Sequence, residues 1–568
     1  MPLNTINFVS TAGLLLATNL FPASLAQGPS TNGSSSKLGA VASQSSVCSR
    51  IGTDLLQKGG SAVDAIVGTV LCVGTVSMYH SGIGGGGFAL VRHGNGSYES
   101  VDFRDTAPKA AYQDMFKGNL NGSVYGGLAS GVPGELRGLE YIHSQYGRLP
   151  WADVVMPAAN VARQGFTVTG DLIQAMGRVS PNTFLTEDPT WAIDFAPRGY
   201  RVRLGEVMTR QRYGTTLESI AKQGVDAFYT GSIANATITA LKAANGTMTL
   251  EDLRTYKVAH RMPVSMHYRG YKLTSTNVPS SGVVALSALN TISGYGDFGN
   301  PAEVNQSAHR LIEAMKFAYG QRSKLGDPDF VSGMAAYTQN MVNPDTGNKL
   351  RAKISDFKTE DASWYDPDNT LADDTPGTSH MVAADASGMS VSLTTTINTH
   401  FGSLLMVPET GVVMNNQMDD FSIPEKNNSY GYVPNQANFI MPGKRPLSSI
   451  SPVIVEHPDG RLYYAIGAAG GSRIISATIQ NLIHVLDSGL TVPQALAQPR
   501  LHNQLRPSNT TFEYAYSNST VSYIGSLGHN LTWVPPIYSL AQGVRLLPNG
   551  TFEAAGEPRQ VDSGGYAV

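Results

Sequence analysis

The chain has 568 residues, 41% of them apolar and 15% charged, with a formal net charge of −3. This is the composition of a globular protein long enough for several domains or one large α/β unit. The small net charge removes the electrostatic case for nucleic acid or an anionic membrane as partner, and two cysteines exclude a disulfide scaffold or a Cys-rich metal site.

In chain order, an apolar run from Ala12 to Phe21 ends in Ser24-Leu25-Ala26, small residues of the kind signal peptidase accepts. The run is too short for a comfortable membrane span. The reading is a signal peptide over residues 1–26. No Lys or Arg precedes the run, so an uncleaved anchor is the alternative. Asn-x-Ser/Thr sites at Asn32, Asn95, Asn121, Asn235, Asn245, Asn305, Asn427, Asn509, Asn518, Asn530 and Asn549 agree with a secretory route and N-glycosylation.

A Ser/Gly/Asn linker over Pro29–Ser36 leads to a helix predicted from Val47 to Gln57 and stopped by Gly59-Gly60. Ser61 caps a second helix, with Asp64 three residues on. Two helices joined by a short turn lie antiparallel, and Cys48 and Cys72 each sit most of the way from that turn. In an oxidising compartment one bridge is the simplest outcome, with two buried thiols as the alternative. Gly82 to Gly87 spells G-x-G-x-x-G, but Phe88–Arg92 alternates as a strand where a nucleotide motif needs a helix, and Gly94-Asn95-Gly96 is its turn.

Residues 135–260 read as mostly helical, and His309–Asp327 as a strong helix. The stretch 340–377, rich in Asp, Thr, Pro and Asn, is expected to be exposed and mobile. From His380 onward the chain is strand-rich. A helix from Ser472 to Leu486 then places Ile475, Ile479, Leu482, Ile483 and Leu486 on one face. There is no G-x-S-x-G, H-E-x-x-H, Walker loop or C-x-x-C, and the histidines lack ligand spacing, so no metal or cofactor is expected.

The candidate chemistry lies in a hairpin. Asp385 and Met389 flank the loop Ala386-Ser387-Gly388. If those two residues face each other, Thr394 faces His380 and Thr396 faces Thr378. Thr378 starts its strand directly after Gly377. Cutting that bond would give a threonine carrying its own base, an α-amino group that titrates near working pH, and Thr396 could hold it by a hydroxyl hydrogen bond. The alternative is a hairpin in which threonine serves strand propensity alone. Gly470-Gly471, at a strand-to-helix turn before Ser472, present backbone N–H groups suited to an oxyanion, or simply make the turn.

Taken with "GAVASQSSVCSRIGTDLLQKGGSAVDA", "VDFRDTAP", "ASGVPGELRGLE", "NNQMDDF", "KRPLSSISP" and "QPRLHNQLRP", these motifs resemble, in order and over nearly the whole mature chain, the γ-glutamyltranspeptidase (glutathione hydrolase) family of N-terminal nucleophile hydrolases. The resemblance implies an αββα four-layer sandwich and autocleavage before Thr378. It implies a large subunit (27–377) and a small one (378–568) that stay associated. It implies Thr378 as nucleophile, Thr396 as its positioning residue, and Gly470 and Gly471 as the oxyanion hole. Arg104, with Ser448 and Ser449, would bind the substrate α-carboxylate. Asn398, Gln417 and Asp420 would hold the α-amino group, and Tyr430 would gate the site. Glutathione and other γ-glutamyl compounds are the implied donors, amino acids or dipeptides the acceptors, and a secreted fungal enzyme the implied setting. Two other readings are a different N-terminal nucleophile amidase, such as a cephalosporin-type acylase or a biosynthetic homologue, and a non-catalytic secreted glycoprotein.

Overall fold

The computed structural model describes residues 36–296, 298–366, 377–424 and 434–568. The signal-peptide reading of 1–26 and the gate assigned to Tyr430 fall outside them.

Two antiparallel sheets form the centre. One runs Gly564–Ala567, Gly39–Ser43, Ser379–Asp385, Ser390–Thr396, Gly86–Arg92, Tyr98–Phe103, Ala259–Arg261. The other runs Phe552–Ala555, Leu540–Leu546, Leu462–Ala469, Val453–Glu456, Tyr271–Ser275, Val264–Tyr268. Strand Ser390–Thr396 packs on Leu462–Ala469, and Ser379–Asp385 on Leu540–Leu546, so the sheets lie face to face.

The period-2 alternation of each strand sorts its side chains between two layers. In the hairpin, Met381, Ala383, Val391 and Leu393 point to a helical layer and join its core. Val382 and Ala384 point between the sheets with Leu90, Ile454 and Val544. The outer helices include Ser46–Gln57 and Ala62–Val76 against the first sheet. Gly282–Ile292 and Arg473–Leu486 lie against the second, with Val304–Arg322 packed on Gly282–Ile292. The order is helix, sheet, sheet, helix, the four layers expected.

Local readings hold where a few residues decide them. Ser61 and Asp64 form a reciprocal capping box, and Gly86–Arg92 is a strand. Cys48 and Cys72 are bridged across the helical pair. The hairpin register is the one expected, Thr394 opposite His380 and Thr395 opposite Ser379. One expectation is corrected in part. Up to residue 366 the stretch beginning at 340 is largely exposed, as expected, but it carries helices at Pro344–Arg351 and Ala362–Tyr365. Asn343 caps the first helix from the surface, whereas Asp366 is buried and pairs with Arg506 at 2.6 Å. Turn-forming residues serve there as a cap and, at Asp366, as a buried partner.

Candidate active site

The two hairpin threonines converge on one atom. Thr378 Oγ1 donates to the Gly377 carbonyl oxygen at 2.7 Å, and Thr396 Oγ1 donates to the same oxygen at 2.6 Å. Thr396 Oγ1 also accepts from the Asn398 backbone N–H at 2.8 Å, which orients its proton toward Gly377. In the uncut chain both hydroxyl protons go to the carbonyl preceding Thr378, whose oxygen has two lone pairs; the Thr396–Thr378 hydroxyl bond is an expectation for the chain after cutting. Two donors on that oxygen polarise the carbon that a nucleophile would attack. His380, two residues on, bonds Thr394 Oγ1 through Nδ1 at 2.8 Å. Burial lowers its pKa to about 3, so it stays neutral at working pH.

Thr378 and Thr396 line a solvent-open cavity of about 670 Å³ with Arg104, Asn398, Gln417, Asp420, Ser448, Ser449 and Gly471. Gly470 adjoins Gly471. Both glycines have φ in the left-handed region, 122° and 60°, which only a residue without Cβ adopts freely. They directly precede the helix Arg473–Leu486 capped by Ser472, so the positive end of that helix faces the cavity.

Arg104 ends the strand Tyr98–Phe103 and is almost wholly buried. Its Nη2 makes an ion pair with Asp420 Oδ2, and Gln417 Nε2 donates to the same carboxylate oxygen at 2.7 Å. Burial raises the Asp420 pKa, and the Arg104 charge draws it back down. Gln417 Oε1 is a buried acceptor without a hydrogen-bond partner. A cavity-lining orphan acceptor next to a carboxylate suits an ammonium group, and a buried guanidinium suits a carboxylate. The two charges satisfy each other.

Ser448 Oγ accepts from the Ile450 N–H at 3.2 Å, and Ser449 Oγ accepts from Arg322 Nη2 at 3.2 Å. Arg322, Asn435 and Asn438 also line the cavity and were missed in the sequence. Asn438 Nδ2 donates to the Asp420 carbonyl at 2.7 Å, and its Oδ1 accepts from the Leu447 N–H at 2.9 Å, tying the acidic turn to the serine loop. Arg322 stood in the sequence only as a residue within the helix read over His309–Asp327, which in the structure runs Val304–Arg322.

On the opposite face of the hairpin, Thr395 Oγ1 donates to Glu135 Oε2, while Glu135 Oε1 is buried without a partner. Burial raises Glu135 to about 7 against the Thr395 hydrogen bond. Among the described residues, one cluster has the makings of a cation site: His309, Glu313 and His529. Most of its ligand atoms are already engaged, His529 Nδ1 being the buried one without a partner. His309 Nδ1 and His529 Nε2 hydrogen-bond each other at 2.9 Å, and Glu313 takes Lys316, Thr359 and Tyr365. It is a buried polar network that anchors the 355–365 segment.

Comparison with known proteins agrees with this geometry. The family model for gamma-glutamyltranspeptidase matches residues 48–567. The chain is 52% identical to a glutathione hydrolase proenzyme of Arthroderma benhamiae, over 94% of this chain and 93% of that one. It is 47% identical to a glutathione hydrolase of Aspergillus flavus, over 94% and 90% respectively. In structure it is similar to cephalosporin acylase from Bacillus halodurans, with TM-score 0.82 and 27% identity over 97% of this chain and 99% of that one. A whole-chain family match, close full-length relatives and a shared four-layer fold leave one assignment: the chain is an enzyme of the gamma-glutamyltranspeptidase family, with the N-terminal nucleophile hydrolase fold.

Proposed function

We propose that the chain cuts itself between Gly377 and Thr378 and then cleaves the γ-glutamyl amide of glutathione and related compounds. The observation that carries this is the convergence of the Thr378 and Thr396 hydroxyls on the Gly377 carbonyl, in the same cavity as the Arg104–Asp420 pair. In maturation the Thr378 oxygen attacks the Gly377 carbon, the C–N bond breaks as the hydroxyl proton passes to the Thr378 nitrogen, and water hydrolyses the resulting ester, restoring the hydroxyl. This leaves a large subunit ending at 377 and a small one beginning with Thr378.

In turnover the new α-amino group takes the Thr378 hydroxyl proton as its oxygen adds to the substrate γ-carbonyl. The Gly470 and Gly471 N–H groups hold the oxyanion. The proton passes to the leaving amine, and a γ-glutamyl ester remains on Thr378. Water, or the amine of an amino acid or dipeptide, then attacks that ester. The donor's α-carboxylate takes Asp420's place on Arg104, joined by Ser448 and Ser449. Its α-ammonium takes Arg104's place on Asp420, with Gln417 Oε1 and Asn398 beside it. A zwitterion thus exchanges into an existing ion pair, so neither protein charge is left bare. An acylase for other amides has no need of this Arg104–Asp420–Gln417 arrangement.

Export through the secretory route with N-glycosylation belongs to the same proposal. Asn95, Asn121, Asn235, Asn245, Asn509, Asn518, Asn530 and Asn549 are all exposed, and among the described residues no helix is long and apolar enough to cross a membrane. The decisive experiment is N-terminal sequencing of the smaller fragment, together with release of a γ-glutamyl chromogenic amide with and without a dipeptide acceptor. Expected are a Thr378 N-terminus, hydrolysis that the acceptor accelerates, and a Thr378→Ala protein that folds but stays full-length and inactive. A fragment beginning elsewhere would overturn the nucleophile assignment.

A further inference from the structure

Arg322 is the charged cavity residue that the reaction as described leaves without a task. It closes the helix Val304–Arg322 and is 8% exposed. Two of its nitrogens make defined contacts with the serine loop. Nη2 donates to Ser449 Oγ at 3.2 Å. Nε donates to Ser281 Oγ at 3.1 Å, and Ser281 Oγ in turn donates to the Ser448 carbonyl at 2.6 Å. The same helix also fixes the oxyanion turn, because Tyr319 OH donates to the Ser472 carbonyl.

The direction of each bond is forced. A guanidinium has no acceptor, so Ser449 Oγ must accept from Arg322. A backbone N–H can only donate, so Ser448 Oγ must accept from Ile450. Each serine oxygen thus has an acceptor site filled from behind, and each keeps its one hydroxyl proton for the cavity. A carboxylate is an acceptor-only ligand and needs donors of that kind.

We propose that Arg322 is a positioning residue that turns the Ser449 hydroxyl into a hydrogen-bond donor for the α-carboxylate of the γ-glutamyl donor and, through Ser281, fixes the backbone that carries Ser448. The proposal rests on the donor-site reading given above. Arg322 reaches the Ser449 hydroxyl directly and the Ser448 backbone carbonyl through Ser281, a span that a planar, multiply donating fork can cover and a single ammonium cannot. Without it, the Ser449 hydroxyl can rotate to satisfy itself locally, and Ser281 loses the donor that holds it against the Ser448 backbone.

The test compares Arg322→Gln, Arg322→Lys and Ser281→Ala with wild type, each in the native and the Ser449→Ala backgrounds, using matured enzyme and γ-glutamyl p-nitroanilide. Arg322→Gln is expected to raise KM for the donor roughly tenfold while kcat stays within about twofold. Arg322→Lys should recover only part of this. In the Ser449→Ala background the Arg322→Gln effect should shrink to about the part carried by Ser448, a non-additivity that a general packing defect would not produce. If Arg322→Gln fails to mature, Ser281→Ala removes one arm alone and should still raise KM several-fold. Full additivity of Arg322→Gln with Ser449→Ala, or a loss confined to kcat, would overturn the proposal. If Ser449→Ala and Arg104→Ala themselves left KM unchanged, the donor site, and not the role of Arg322, would be at fault.

Discussion

Gly377→Ala is expected to stall maturation while sparing turnover. Gly377 has φ 146°, in a region that L side chains rarely adopt. A Cβ there would lie 2.0 Å from the Asn398 carbonyl oxygen and 3.1 Å from the Asn398 and Thr399 carbonyl carbons. These are backbone atoms of the turn that follows Thr396, so no rotamer change clears the overlap. Residue 377 must rotate instead, which carries its carbonyl away from the hydroxyls now at 2.7 and 2.6 Å. Holding an L-residue in such a region costs about 1–3 kcal/mol, and losing one of the two hydrogen bonds adds about 1 kcal/mol. The sum, about 2–4 kcal/mol, slows the cut roughly 30- to 900-fold if it falls on the reactive conformer. A pulse–chase experiment read on denaturing gels gives the rate at which the full-length band is replaced by two fragments. Once cut, residue 377 only ends the large subunit, so the matured fraction of the variant should turn over γ-glutamyl p-nitroanilide at close to the wild-type rate per molecule. Cutting at the wild-type rate would refute the steric argument. Slow turnover by the matured fraction would mean that Gly377 acts in catalysis as well.

Three further outcomes follow from other parts of the molecule. Arg104→Ala or Asp420→Ala removes one partner of a desolvated charge pair, worth about 2–5 kcal/mol, and should lower kcat/KM on glutathione by roughly 30-fold or more while maturation proceeds; near-normal efficiency in steady-state assays would argue against the pocket. Glu135, raised by burial from 4.5 to about 7, binds more proton folded than unfolded between those values, so it makes stability fall as pH climbs through that window. Glu135→Gln should therefore match wild type in stability near pH 4.5 and exceed it near pH 8, by about 3 kcal/mol at most, and a melting-temperature difference that is the same at the two pH values would contradict this. Cys48→Ser opens the bridge to Cys72, whose 24-residue separation is worth about 3–4 kcal/mol in the chain-entropy model; melting temperature and yield should drop with kcat per matured molecule preserved.

What the sequence by itself determined was local or carried by motif. The loop Ala386-Ser387-Gly388 set the hairpin register, and with it the pairing of Thr394 with His380, because the turn geometry fixes which residues face. Strand alternation after Gly87 was enough to reject a nucleotide loop, and Ser61 with Asp64 was enough to start a helix. Each depends on a few neighbouring residues. The tertiary structure alone decided what depends on residues far apart in the chain. Arg322 meets Ser449 across 127 positions, and Thr395 meets Glu135 across 260. Arg104 and Asp420 were assigned from the sequence to opposite ends of one ligand, but their pairing with each other came only from the fold. Asp366, at the end of the polar stretch, misled for the same reason. Whether an Asp or Asn is solvated or buried depends on whether a distant partner, here Arg506, is carried to it, and no local pattern encodes that.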